Sequence, residues 1–221
     1  MRTKLYLAST GALEDEARFA RLLETVPAVR RKKVLAYRTA AARRLSLGAG
    51  LLLNAALAAE GLKAGEICVS EYGKPYFPGL PDFHFSLSHT GERVLCAVSP
   101  QPVGCDIEKP RGYDPHLAQR FFHPDESAWL LSLPAEEQPA AFFRLWTCKE
   151  SFIKALGLGL SLPLDSFAVR LIEPIGLAQT ADERPWRLRG FTDGDYACAL
   201  CGLEGVEDAP FTYVALDGGT A

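Results

Sequence analysis

The sequence predicts an α+β fold built from two related subdomains. Apolar residues recur at helical spacing over residues 142–156, whereas apolar and polar residues alternate over residues 83–88, as in a strand with one buried face. Each half of the chain offers a helical segment and then an apolar strand near its end, VLCAVS in the first half and YACALC in the second. We therefore expect subdomains at residues 1–103 and 104–221.

Composition is typical of a globular protein, with 48% hydrophobic and 23% charged residues among 221. The net charge of −3 argues against a general nucleic-acid binder. The chain lacks an apolar run of about 18 residues and a signal-peptide core, so we expect it in the cytoplasm and not in a membrane.

The six cysteines lie mostly in apolar runs, which predicts reduced, buried thiols. Cys198 and Cys201 form a lone CxxC without the further ligands of a zinc site.

The first half begins with a predicted strand over residues 1–8 and an amphipathic helix over residues 11–25. Pro27 then opens a helical tract that continues to Leu62. Seven cations lie within fifteen residues of this tract: Arg30, Arg31, Lys32, Lys33, Arg38, Arg43 and Arg44. In an acidic protein this basic end is either a solvated helix face or a phosphate-binding surface, and the sequence leaves both open.

A turn that presents Lys74 follows a strand predicted over residues 67–72. Residues 83–99 then predict a hairpin that places polar groups at its tip, including Ser88 and His89. A histidine at a turn is most often a surface residue. A serine hydrolase triad is not expected, because the GxSxG elbow is missing.

Two carboxylates follow in the segment PVGCDIEKP. If residues 103–108 form a strand, Asp106 and Glu108 point to the same side, about 6 to 7 Å apart along the strand. Like charges so placed repel, and a hard cation between them would relieve the repulsion. The pair is therefore either part of a metal site or a solvated strand end.

The helix predicted over residues 142–156 has one apolar face and one polar stripe. Glu150 and Lys154 lie one turn apart on the polar stripe, as a solvated ion pair or as part of a site. Lys149 projects from the apolar side, where its ammonium must snorkel to water or meet an anion. Gly157 ends the helix.

The remaining segments predict further scaffold. Helices are expected around residues 116–122 and from about residue 125, and strands over residues 166–173, 186–191 and 195–202. These elements complete the second half of the α+β pattern.

Two sets of side chains together suit a magnesium ion on a pyrophosphate. Mg²⁺ prefers carboxylate oxygens, and phosphate oxygens accept hydrogen bonds from cations and histidine. The first set is Asp106, Glu108 and Glu150, and the second is Lys74, His89, Lys154 and the basic end of the helical tract.

The motifs GKP, FSLSHTG, GCDIEKP and WTCKESFIKALGLGLSLPLDSF, in this order and spacing, closely resemble the Sfp-type 4'-phosphopantetheinyl transferases over nearly the whole chain. The resemblance implies transfer of the phosphopantetheine arm of coenzyme A to a serine of an acyl or peptidyl carrier protein, releasing adenosine 3',5'-bisphosphate. It also implies a monomer of two similar α/β subdomains related by a pseudo-two-fold axis. Each subdomain is then an antiparallel sheet packed on helices, with the active site at their interface.

The family pattern assigns roles to individual residues. Asp106, Glu108 and Glu150 hold Mg²⁺ on the coenzyme A pyrophosphate, and Lys154 stabilises the leaving bisphosphate. Glu150 is also placed to accept the serine proton, directly or through a metal-bound water. The residues matched to nucleotide contacts are Lys74, Ser88 and His89.

The basic segment departs from the family pattern. Val29 stands where family members often have a cation, so Arg31 or Lys32 is expected to replace it at the 3'-phosphate of coenzyme A. The family's Asp-x-x-Arg appears here as Ala41 with Arg44.

Two other functions stay open beside the transferase. One is a metal-dependent nucleotide phosphohydrolase that uses the same carboxylates, and the other is a non-enzymatic coenzyme A-binding module. The sequence does not distinguish a fatty-acid, polyketide or nonribosomal peptide carrier. Arg111, Arg120 and the pair Phe121 and Phe122 are candidates for carrier docking, with a structural role as the alternative.

Overall fold

A computed structural model describes residues 1–217 of the chain, which form eleven strands and six α-helices. None of the helices in this range is long and apolar enough to cross a membrane. The helices are α1 (Glu16–Leu23), α2 (Ala28–Ala36), α3 (Ala40–Ala59), α4 (Pro115–Phe121), α5 (Pro124–Ser132) and α6 (Gln138–Leu156). The strands are β1 (Lys4–Ser9), β2 (Cys68–Val69), β3 (Pro75–Tyr76), β4 (His84–Thr90), β5 (Arg93–Ser99), β6 (Gly104–Glu108), β7 (Ala168–Arg170), β8 (Gly176–Ala178), β9 (Arg187–Asp193), β10 (Tyr196–Gly202) and β11 (Phe211–Tyr213).

Two lobes repeat one topology, which confirms the predicted α+β fold of two similar halves. In the first lobe β1 pairs antiparallel with β5, and β5 forms a hairpin with β4. In the second lobe β6 pairs antiparallel with β10, and β10 forms a hairpin with β9. The long helix of each lobe, α3 or α6, comes between the first strand and the hairpin. Each lobe is thus an antiparallel sheet packed on helices.

The lobes stack as four layers, with a helix outside each sheet and the two sheets facing each other. Side chains of α3 pack on one face of the β1–β5–β4 sheet, and those of α6 pack on one face of the β6–β10–β9 sheet. Between the sheets lies a third apolar cluster that includes Leu7, Leu95, Ile107 and Leu200, all fully or almost fully buried. Both faces of each sheet are therefore covered.

The last strand of the chain joins the sheet of the first lobe. Phe211–Tyr213 pairs in parallel with residues 5–7 of β1. The subdomain boundary predicted between residues 103 and 104 stays a prediction. β6 begins at Gly104, whereas β11, from the predicted second subdomain, joins the sheet of the first lobe. Residues 218–221 of the predicted second subdomain lie outside the described residues.

The predicted continuous helical tract after Pro27 is wrong, because α2 and α3 are separate helices. Tyr37 adopts an extended backbone with φ −69° and ψ 141°, and the Thr39 side chain accepts a hydrogen bond from Ala42 N as the N-cap of α3. Arg43 Nε donates to Tyr37 O at 2.8 Å and bridges the break. A threonine hydroxyl that satisfies a helix N-terminus favours a new start over continuation.

Helix α6 ends as predicted, at Gly157 in the left-handed conformation with φ 75°. Its polar stripe, however, faces the protein interior, since Thr147 and Ser151 are fully buried. Gly104 lets β6 approach α6 very closely: a Cβ atom at this position would lie 1.9 Å from Ser151 O. The helix is thereby held against the strand that carries Asp106.

Lys149 meets an anion, one of the two outcomes expected for it. Its ammonium donates to Glu126 Oε1 at 2.7 Å and to Phe167 O at 2.7 Å, with both charged side chains removed from water. Glu126 also accepts a hydrogen bond from Val169 N. This buried pair connects α5, α6 and the start of β7.

Candidate active site

Lys154, Asp106 and Ser88 form a compact polar cluster where the two lobes meet. The ammonium of Lys154 lies 2.6 Å from Asp106 Oδ1 and 3.2 Å from Ser88 Oγ. Ser88 donates to the same Asp106 oxygen at 2.6 Å. Because the three residues come from α6, β6 and β4, the cluster depends on both lobes.

Neighbouring strands β4 and β6 hold the cluster in register. Ser86, two residues before Ser88 on β4, accepts a hydrogen bond through Oγ from Cys105 N at 3.0 Å. Thr90, two residues after Ser88, donates through Oγ1 to Glu108 Oε2 at 3.2 Å. Alternation places these side chains on the facing edges of both strands, as predicted for Asp106 and Glu108.

The three predicted metal-binding carboxylates influence one another electrostatically. Burial raises the pKa of Glu150, and the charges of Asp106 and Glu108 raise it further, while Lys154 opposes them. Burial and the charge of Asp106 likewise raise the pKa of Glu108, and Thr90 and Arg111 oppose them. Negative charge is therefore concentrated and only partly compensated at this point.

The donor set is suited to a divalent cation, although the carboxylates are not arranged around one point. Asp106 Oδ2 is buried and has no hydrogen-bond partner in the described part of the chain. An acceptor in that state is costly unless a cation or donor completes it. No group of three His, Cys, Asp or Glu side chains within residues 1–217 is disposed to hold a metal ion.

Lys154 carries the positive charge of the cluster in this arrangement. Burial alone would lower the pKa of the Lys154 ammonium, but the charge and hydrogen bond of Asp106 outweigh burial and raise it. Its ion pair is thus with Asp106, and the solvated pair with Glu150 considered from the sequence is not the pairing that forms.

A cavity of about 280 Å³ opens beside the cluster. Both polar and apolar side chains line it, the usual composition of a small-molecule site. Its lining comprises Tyr72, Gly73, Lys74, Pro75, Phe85, Ser86, Leu87, Glu150, Ile153, Lys154, Gly157 and Gly159.

Lys74 lines this cavity, but its ammonium points at backbone carbonyls. It donates to Val103 O at 3.1 Å, Lys154 O at 2.6 Å and Ala155 O at 3.0 Å. Burial lowers the pKa of Lys74 to about 8. Its predicted contact with a nucleotide stays a prediction.

Two cations of helix α2 that the sequence analysis did not single out, Arg30 and Lys33, act electrostatically on His89. Removal from water is the main cause that lowers the pKa of His89, and the charges of Lys154, Lys33 and Arg30 lower it further. Arg30 and Lys33 are three residues apart and so share a face of α2. The stem of Arg30 packs on Gly50 of α3, where an added Cβ would lie 3.2 Å from Arg30 Cγ.

Two of the three predicted cations are paired with carboxylates outside the cluster. Arg31 pairs with Glu24 at 2.5 Å and Arg44 pairs with Glu14 at 3.3 Å, whereas Lys32 is exposed, as Lys33 is. Their predicted roles at a phosphate stay predictions.

Sequence reasoning listed Arg30 and Lys33 within the basic segment without singling them out, and it did not connect Thr90 with Glu108. For the two cations, helical spacing was the available signal: Val34 is the buried position of α2, and residues one and four positions before it flank that buried face. Ser88 and His89, expected at the hairpin tip, lie within β4, and Thr90 is its last residue. The hydrogen bond of Thr90 to Glu108 depends on the packing of β4 beside β6, which the sequence does not reveal.

The model of the 4'-phosphopantetheinyl transferase superfamily matches residues 102–201, which include Asp106, Glu108, Glu150 and Lys154.

Relatives extend the match over most of the chain. A 4'-phosphopantetheinyl transferase of Bacillus subtilis is 41% identical over 187 residues, covering 82% of this chain and 84% of the relative. The 4'-phosphopantetheinyl transferase Sfp of Bacillus subtilis strain 168 is 38% identical over 202 residues, covering 89% of each. HetI, a 4'-phosphopantetheinyl transferase of a Nostoc species, is 35% identical and covers 74% of this chain and 71% of the relative. The chain belongs to the Sfp-type 4'-phosphopantetheinyl transferases.

Proposed function

We propose that this protein transfers the 4'-phosphopantetheine arm of coenzyme A to a serine of a carrier protein. The serine oxygen forms a bond to the phosphorus that carries pantetheine, and the bond from that phosphorus to the bridging oxygen breaks. Adenosine 3',5'-bisphosphate leaves with the electron pair, and the serine proton passes to a base. The contact of Lys154 with Asp106 and Ser88, beside the cavity, is the observation that carries the proposal.

We propose that Asp106, Glu108 and Glu150 hold Mg²⁺, and the buried, unpartnered Asp106 Oδ2 supports this assignment. The bound ion would neutralise charge on the pyrophosphate. Such a counter-charge would be stabilising, because the charge of Asp106 raises the pKa of both Glu108 and Glu150.

Lys154 and Glu150 are proposed as the catalytic pair. The ammonium of Lys154 can move from Asp106 to the leaving bisphosphate, where transition-state charge develops. Glu150 is proposed as the acceptor of the serine proton, and its raised pKa supports this role because a base works best with a pKa nearer the operating pH.

Nucleotide binding is assigned to the surfaces around the cavity. Ser88 and His89 are proposed to contact the nucleotide, and helix α2 to bind the 3'-phosphate. Arg30 and Lys33 are favoured for this phosphate by their electrostatic effect on His89. The predicted contributors Arg31, Lys32 and Arg44 remain in the candidate set for this phosphate.

The partner is proposed to be an acyl or peptidyl carrier protein, with Arg111, Arg120 and exposed Phe121 as docking candidates. The docking role considered for Phe122 is wrong, because that side chain is buried in the core of the second lobe. We propose that the protein acts as a cytoplasmic monomer, without nucleic acid or a membrane. The completion of the cluster by two lobes of one chain supports the monomer, since no second copy is needed to supply Ser88, Asp106 or Lys154.

Intact mass spectrometry tests the transfer directly. Purified apo carrier proteins of the fatty-acid, polyketide and peptide types are incubated with the protein, coenzyme A and Mg²⁺, and EDTA replaces Mg²⁺ in the control. A mass gain of one phosphopantetheine that EDTA abolishes is the expected result. Hydrolysis of coenzyme A with unmodified carriers would instead identify a phosphohydrolase. Coenzyme A binding with neither reaction would identify a binding module.

A further inference from the structure

Lys74 connects the first lobe to the carboxyl end of helix α6. Its backbone belongs to the loop between β2 and β3, and its ammonium reaches Val103 O, Lys154 O and Ala155 O. The shortest of these contacts, at 2.6 Å, is to the carbonyl of Lys154, whose side chain lies on Asp106. One side chain thus joins three separate segments of the chain.

The carboxyl end of α6, where the Lys74 ammonium lies, favours a cation even when no ligand is bound. The last four carbonyls of a helix lack an intrahelical N–H partner, and they form the negative end of the helix dipole. In α6 the Gly157 N–H satisfies Ile153 O, and Lys74 supplies donors to the next two carbonyls. Gly157 also leaves room for the lysine stem, because an added Cβ would lie 2.9 Å from Lys74 Cδ.

The same contacts leave Lys74 poorly placed to bind a phosphate. An ammonium has three N–H donors, and three carbonyls take all of them. Contact with an anion would leave at least one buried carbonyl without its partner, which costs free energy. Burial lowers the pKa of Lys74 to about 8, which leaves the ammonium mostly protonated near neutral pH, so its carbonyl contacts and not its charge state disfavour phosphate binding.

We propose that Lys74 is a positioning residue that pins the loop of residues 72–75 to the end of α6 and thereby sets the place of Lys154 and one wall of the cavity. The part of this inference that concerns substrate rests on the proposed function. The contacts of Lys74 with the three carbonyls, called the pin below, are present in the ligand-free protein.

Hydrogen–deuterium exchange of the ligand-free protein tests the pin. In Lys74→Met, amides of residues 153–160 should exchange about tenfold faster than in the wild type, because the end of α6 loses its carbonyl partners. Lys63→Met, which removes an exposed lysine outside the site, should exchange like the wild type. Unchanged exchange in Lys74→Met would overturn the pin.

Chemical acetylation of the wild-type protein is a second test that needs no variant. Lys74 should react at least about tenfold more slowly than Lys63 with limiting acetic anhydride, since its amine is buried and hydrogen bonded. Reaction of the two lysines at equal rates would contradict the arrangement even if Lys74→Met failed to fold.

Donor selectivity distinguishes positioning from phosphate binding. Lys74→Met should lower kcat per folded molecule by about tenfold, through displacement of Lys154. Its preference for coenzyme A over 3'-dephospho-coenzyme A should stay within about twofold of the wild type, whereas Arg30→Met should lose much of that preference. Loss of the preference in Lys74→Met would identify a phosphate ligand, and an unchanged kcat would exclude the positioning role. Loss of all transfer by the wild type would refute the proposed function while leaving the exchange and acetylation results to decide the pin.

Discussion

The Lys154 ammonium lies 2.6 Å from Asp106 Oδ1, and this contact joins the helix of the second lobe to the strand at which the two lobes meet. Lys154 and Glu150 occupy adjacent turns of α6, yet the lysine pairs across the interface. The other oxygen of Asp106 is buried and unpartnered within the described chain. Asp106 therefore has one oxygen committed to the protein and one available to a further cation.

Removing either charge of this contact should abolish most of the activity. We expect Lys154→Met to lower kcat by about 10²-fold or more, because charge stabilisation at the leaving group is lost. Asp106→Asn should also raise the Mg²⁺ concentration needed for half-maximal rate. Carrier modification followed by mass spectrometry over a Mg²⁺ titration measures both effects. Glu136→Gln, an exposed acid outside the cluster, serves as the control and should behave as the wild type.

The face of helix α2 that binds phosphate can be identified with two double variants. Arg30→Ala with Lys33→Ala should reduce the preference for coenzyme A over 3'-dephospho-coenzyme A by about tenfold, since both charges act on His89. Arg31→Ala with Lys32→Ala should reduce it less, because Arg31 is paired with Glu24. The ratio of kcat/KM for the two donors is the measurement. A larger loss in the second variant would reverse this assignment and restore the pair chosen from the sequence.

A methyl group at Gly104 should separate β6 from α6. The added Cβ of Gly104→Ala would lie 1.9 Å from Ser151 O and 2.4 Å from Ala155 N, and both atoms belong to the helix backbone. We expect a loss of about 3 kcal/mol in the free energy of unfolding, measured by urea denaturation, together with reduced activity. Gly65→Ala, which meets nothing within 4 Å, should leave both unchanged to within about 1 kcal/mol.

The buried pair of Lys149 and Glu126 should behave as a coupled unit. Either Lys149→Met or Glu126→Gln alone should destabilise the protein by about 3 to 5 kcal/mol, because one partner is left buried without compensation. The double variant should lose clearly less than the sum of the two. Denaturant unfolding of all four proteins gives the coupling free energy. Strict additivity would show that the two side chains do not stabilise each other.

Local patterns predicted the elements near the site well. The apolar spacing of α6 and its stop at Gly157 needed only residues close in sequence, as did the hairpin of β4 and β5. Alternation in β6 correctly put Asp106 and Glu108 on one side. Such features are fixed by the helical and strand periods and by glycine at a left-handed turn, all of which are visible in a single sequence.

Contacts between residues far apart in the chain could not be predicted from the sequence. The charge of Lys149 required an anion or water, but nothing local indicated Glu126, 23 positions away. The carbonyls that Lys74 contacts are 29, 80 and 81 positions away. A lysine that binds a ligand and a lysine that donates to backbone carbonyls have the same chemistry in the sequence. Only the three-dimensional packing shows which groups the side chain contacts.

The pairing of β11 with β1 has a consequence for how the chain is made. A ribosome releases β1 long before Phe211–Tyr213, so the outermost row of backbone hydrogen bonds in the first sheet waits until every element between these two strands has been made. Until then one edge of β1 lacks its neighbour and can pair with another chain. Newly made first lobes are therefore vulnerable to association with one another during translation, and the arrival of β11 closes that edge.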